Sequence, residues 1–119
     1  MPAIDGRVGV EFIEPNIITD PGNAGAIPVT RGGVVNLVTA GAETRTLARP
    51  TLANQELILN LQTDGGDCVL TVTGGVNQTG NNTLTFADAG DQIVLRAGRS
   101  GSNLVWRVAS NDGVALSTV

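Results

Sequence analysis

The sequence predicts an all-β protein: an antiparallel β-sandwich or barrel, jelly-roll-like or meandering, preceded by an extended N-terminal arm. Two observations carry the β-body. From Val34 onward apolar residues recur with a period of two, and turn-forming clusters divide these runs into segments. Strands every ~8–12 residues with turn signals between them are the pattern of sandwiches and barrels. A third observation carries the arm. Pro2, Pro15, Pro21 and Pro28 all precede residue 30, interleaved with Gly22, Gly25, Gly32 and Gly33. Proline fixes φ, lacks an N–H donor and interrupts both helices and central strands.

In order along the chain, residues 1–33 read as the arm, with one short strand, and residues 34–119 as the β-domain. The arm is not purely polar. Val8, Val10 and Phe12 alternate, and Ile17 and Ile18 follow. Alternating side chains of an extended segment share one face, so these five residues are the candidate contacts with a partner. In the body, "VVNLVT" leads to "TRTLA", and "LILNLQ" places Leu57, Leu59 and Leu61 together. "TDGGD" turns, with Gly65 and Gly66 free to take positive φ. "CVLTVT" returns with Cys68, Leu70 and Val72 on one face. "TLTF" and "QIVLRA" are joined by "ADAGD", and "LVWRVA" comes back after "GRSGSN". No segment holds a 3.6-residue apolar period long enough for a helix; residues 51–56 form at most one turn after Pro50.

Composition narrows the function. The 119 residues fit one domain, and only Phe12, Phe86 and Trp106 are aromatic. A small core built from Val, Leu, Ile and Thr leaves such a domain marginally stable alone, which points to a homo-oligomer. There is no His, Lys or Tyr, so the usual bases near neutral pH are absent. Ser100, Ser102, Ser110 and Ser117 have no base nearby in sequence, and a glycosidase carboxylate pair would need stacking surfaces that three aromatics scarcely supply. An enzyme is therefore not expected, and no cofactor is implied. "DGGD" and "DAGD" repeat an acidic pair across a turn, but Ca²⁺ wants six to eight oxygens. Asp at these positions reads as turn capping, and no metal site is assigned. The net charge is −4 and the seven arginines are scattered from Arg7 to Arg107, which argues against nucleic acid and an anionic membrane as partners. The lone Cys68 reads as a buried small hydrophobe. The start "MPAIDGRVGVEF" has no signal-peptide pattern, and no run approaches a transmembrane span. "NQT" at Asn77 and "NNT" at Asn81 accordingly read as loop chemistry.

The stretches "NQTGNNTLTFADAGDQIVLRAG" and "LVWRVASNDGVALST" resemble small head-decoration, or cement, proteins of tailed bacteriophages, over roughly Leu57 to Thr118. The likeness lies in a strand-turn-strand cadence and a closing "NDGVAL". It implies a non-enzymatic, all-β, usually trimeric protein on the outer surface of the virion capsid, made in the host cytoplasm. The implied partners are the major capsid protein and further copies of itself. Thr/Asn/Gly-rich strands also occur in phage tail fibres and spikes, and many small β-sandwiches bind glycans or receptors. That alternative would require exposed aromatic side chains or a repetitive stalk. Trp106, lying between Leu104 and Val108 in the alternation, is expected in the core.

Overall fold

The computed structural model describes residues 16–119. In chain order the strands are β1 (Ile17–Ile18), β2 (Gly25–Ile27), β3 (Gly33–Val38), β4 (Glu43–Leu47), β5 (Glu56–Thr63), β6 (Cys68–Val72), β7 (Thr83–Phe86), β8 (Gln92–Ser100), β9 (Asn103–Asp112) and β10 (Ala115–Ser117). They form two five-stranded sheets packed on one core. Sheet one has the order β1-β3-β5-β8-β9, and sheet two the order β10-β7-β6-β4-β2.

The all-β expectation holds, but the sheets are mixed, not antiparallel, and they do not close into a barrel. β1, β3 and β5 run parallel in sheet one, and β2, β4 and β6 run parallel in sheet two. The chain alternates between sheets, so each pair of strands makes one coil that stacks on the next. Parallel neighbours need a crossover connection, usually a helix; here a strand of the opposite sheet serves. The remaining four strands add antiparallel, β7 and β10 to sheet two, β8 and β9 to sheet one. Period-two alternation reports which face a side chain takes and is blind to strand direction, so it could not distinguish the two pairings.

Residues 16–33, expected as part of the arm, are the first coil of this stack. Ile18 and Ile27 enter the common core at 5 % and 3 % exposure. Val8, Val10 and Phe12 lie outside the described residues. The core faces of the strands are those the alternation indicated: Leu57, Leu59 and Leu61 on β5, and Cys68, Leu70 and Val72 on β6, are all buried. Each such aliphatic side chain contributes ~1.5–3 kcal/mol on burial. Trp106 is fully buried, and its indole N–H donates to the Ala48 carbonyl at 2.8 Å. Burial pushes the Cys68 thiol pKa up, as befits an inert core cysteine.

The turn glycines have a different purpose from the one expected. Gly65 and Gly66 do not adopt positive φ. A Cβ on Gly65 would collide with the Thr39 carbonyl oxygen, and one on Gly66 with the Gly41 backbone. They are glycine because the turn after β5 presses on the turn after β3. The buried Thr39 hydroxyl staples the two turns, donating to the Gly66 carbonyl at 2.7 Å and accepting from the Gly65 N–H at 3.0 Å. In "ADAGD" Asp91 makes the cap: its Oδ2 accepts from the Ala87 and Asp88 N–H groups. Likewise Asn77 Oδ1 accepts from the Gly80 and Asn81 N–H groups. Asn82 then holds the C-terminus through both Val119 N–H and C=O.

One charged side chain lies inside. Arg45, on the core face of β4, is 1 % exposed, and all five of its N–H groups find acceptors. Nε and Nη2 grip the two Asp20 oxygens at 2.8 and 3.0 Å, and Nη2 also reaches the Val38 carbonyl. Nη1 serves the Thr44 carbonyl and Glu43 Oε1. Asp20 in turn accepts from the Val38 and Gly22 N–H groups. The cluster ties the first coil to both strands of the second. Burial raises the Asp20 pKa, but hydrogen bonds from Arg45, Val38 and Gly22 outweigh it and hold the carboxyl below its ordinary value of 3.8. The Ala40 N–H does most to hold Glu43 below its own.

Three outcomes follow from this architecture. Arg45→Ala strands a buried carboxylate and should cost ~3–5 kcal/mol in urea denaturation. Because the folded-state pKa of Asp20 is depressed, its contribution is complete above the unfolded value of 3.8 and is lost as pH falls through the folded one. The stability gap between wild type and Asp20→Asn should therefore be constant from pH 5 to 7 and shrink below 3.8. A gap that stays unchanged at pH 2 would contradict this assignment. Gly65→Ala should destabilise by ~1–3 kcal/mol, since backbone must move to admit the methyl group.

Candidate interaction surface

The outward faces of the two sheets differ in chemistry. On sheet two, one row across the strands is Ala26, Thr46, Thr71, Thr83 and Ser117, and the next is Thr44, Val69, Thr85 and Ala115. Small and hydroxyl-bearing side chains dominate, as suits a solvated face. On sheet one the register aligns Ile17, Val34, Ile58 and Val94 in a single row. None of the four is buried, and Ile17 is 66 % exposed. The neighbouring row is polar, with Asn36, Asn60 and Gln92, and Asn60 Nδ2 donates to Asn36 Oδ1 at 3.3 Å. Four aligned aliphatic side chains on a face that already has a buried reverse side are not needed by the core.

The row opens into a cleft of ≈ 470 Å³ at the end of the sandwich where β3 and β5 begin. Its floor includes Gly33 and Ile58, and its walls are Asn16, Arg31, the 52–55 loop and Glu56. The loop is held firmly. Gln55 is buried, its Oε1 accepts from the Thr51 and Leu52 N–H groups, and its Nε2 donates to the Val29 carbonyl. Thr51 Oγ1 donates to the same carbonyl at 2.6 Å. Asn54 takes a left-handed conformation, φ 63°, which Asn tolerates better than most residues, and Leu52 is left 53 % exposed. On the opposite strand edge Gly33 admits the chain of Asn16, whose carbonyl oxygen occupies the space of a Cβ.

Charge is sorted by end. Asp20, Glu43, Asp64, Asp67, Asp88, Asp91 and Asp112 all lie at the end where β5 finishes and β8 starts, with only the buried Arg45 among them. Arg31, Arg49, Arg96, Arg99 and Arg107 lie toward the opposite end, with Glu56. Arginines that are scattered in sequence are thus gathered by the fold, which corrects the reading of them as unclustered. The reason is the reversal of strand direction: positions far apart in the chain share a rung. Glu56, Arg96 and Arg107 form one such rung beside the cleft, and Arg96 Nη2 meets Glu56 Oε2 at 2.9 Å.

Of the five contact residues expected from sequence, the structure places two. Ile17 heads the exposed row. Ile18, on the opposite face of the same strand, points into the protein's own core. Sequence reasoning missed Val34, Ile58 and Val94 as surface residues, along with the cleft arginines. The signal was partial: each apolar residue breaks the in/out alternation of its strand, but their alignment needs the register. Prolonging this row into a charged one tests its exposure: Ile58→Lys should change urea stability by less than ~1 kcal/mol, whereas the same change at Leu59 should unfold the chain. No protein-family model matches the chain, and no match is found among curated proteins.

Proposed function

We propose that this chain is a non-enzymatic structural protein that attaches to a protein shell, as a decoration or cement protein on the outer surface of a bacteriophage head. The observation that carries the reading is the contrast between the two sheet faces. Sheet two is dressed for water, and sheet one offers an aliphatic row that a partner would cover. Homotrimerisation accounts for that row with few large core residues to spare. The phage assignment itself rests on the cement-like cadence of the C-terminal half. The rival reading, a glycan- or receptor-binding module of a fibre or spike, loses support from the burial of both described aromatics, Trp106 and Phe86.

The body of the protein includes the first coil, so the arm to be tested ends at residue 15. Deleting residues 1–30 would remove Ile18, Asp20 and Ile27 and with them part of the core. Sedimentation at micromolar concentration should give a trimer, and Ile58→Lys with Val94→Lys should reduce it to folded monomer. A wild-type chain that sediments only as monomer would remove the oligomer from the reading. Attachment should be measured on undecorated capsids. Val10→Ser with Phe12→Ser should weaken it by two orders of magnitude or more if both side chains are buried on binding, at ~1.5–3 kcal/mol each. Undiminished attachment would shift the contact to the sheet-one row. No hydrolysis of glycans, esters or peptides should accompany either form, and a turnover that responds to one Asp or Glu substitution would overturn the structural reading.

A further inference from the structure

We propose that the cleft at the arginine end of sheet one is the receptor for the segment Val10–Pro15 of a neighbouring copy of this chain. The inference rests on the trimeric reading above and names the contact that joins its subunits.

The cleft has two chemical parts. Ile58, Leu52 and Ala53 give it an apolar lining, and Arg31 stands on its wall. The rung of Glu56, Arg96 and Arg107 extends from its rim. An occupant must therefore bring apolar side chains flanked by carboxylates. The segment outside the described residues reads "VEFIEP", with Phe12 and Ile13 between Glu11 and Glu14. Its composition matches the cleft part for part. Arg is suited to such a site because its planar guanidinium recognises carboxylates in two-point fashion. A uniform polyanion fits worse, because Glu56 sits in the middle of the cationic rung and the lining is apolar.

Position selects a neighbour's segment over the chain's own. Asn16 itself lines the cleft, and its carbonyl accepts from the Val34 N–H at 2.7 Å. To enter its own cleft the chain would have to reverse within Glu14–Pro15, and a proline steers the residue before it into extended backbone. A second copy's segment meets no such constraint. Segment and cleft are different surfaces, so the contact is head-to-tail, the type that closes into a ring when the rotation permits.

The test uses full-length chains in sedimentation equilibrium, with circular dichroism as the folding control. Glu11→Arg with Glu14→Arg alters the segment, and Arg31→Glu with Arg107→Glu alters the cleft. Each pair alone should weaken association at least tenfold, and mixing the two variants should restore it, because each then supplies the complement of the other. Excess synthetic peptide spanning residues 8–16 should dissociate wild type. If the cleft pair fails to fold, the segment pair and the peptide competition still decide the matter. A trimer unaffected by the segment variant and the peptide would overturn this contact while leaving the trimeric reading intact. A wild-type monomer would overturn both. Loss of association in each variant without recovery on mixing would show that the segment does not pair with the cleft of another copy. Binding of a short DNA duplex that is abolished by the cleft pair would reassign the arginines to a polyanion.

Discussion

The in-register stacking of three parallel coils is the constraint on which the rest of this protein depends. Each coil contributes one strand to each sheet, so neither sheet can shift its register without the other. A slip of one residue would turn every aliphatic side chain of a strand from the core to solvent. The leucine rungs of β5 supply the driving force, but hydrophobic burial is not directional. What selects the alignment is polar. Thr39 can bond Gly65 and Gly66 only when the two turns lie directly over one another, and two glycines without side chains let them approach.

Arg45 performs the same service one coil earlier. A guanidinium in the space between two sheets is costly to desolvate, and a buried ion pair is seldom a large net gain in stability. Its value here is that five N–H groups require five acceptors, which come from β3, β4 and the connection between β1 and β2. Only one placement of the first coil supplies them all. The first coil is short, two and three residues in its strands, and its two buried isoleucines are a slender apolar anchor. The cluster adds specificity to that anchor, and it makes the attachment of the coil sensitive to acid in a way the leucine core is not.

The surface follows from the same stacking. Aligned coils turn residues separated by a score of positions into neighbours, so an isoleucine or valine at the corresponding point of β1, β3, β5 and β8 becomes a continuous row. The strand reversals sort charge, leaving carboxylates at one end and guanidinium groups at the other. A protein so arranged presents a wet face, an aliphatic face and two ends of opposite sign. Each can be recognised separately, which suits a component that must sit on other proteins in one orientation.

By itself the sequence determined the all-β class, the position of most turns, and the core residues of β5, β6 and β9, because alternation between two environments is written locally along a strand. It also located Trp106 and Cys68 inside, since both fall on the apolar side of that alternation. The direction in which strands pair was decided only by the tertiary structure, because parallel and antiparallel neighbours require the same in/out pattern. So was the place of residues 16–33: their prolines and glycines read as an arm, yet Asp20 gains a partner 25 residues away in Arg45. The aliphatic row, the cleft and the gathering of arginines belong to the fold alone. They arise from cross-strand register, which is a relation between distant segments and has no local trace in the chain.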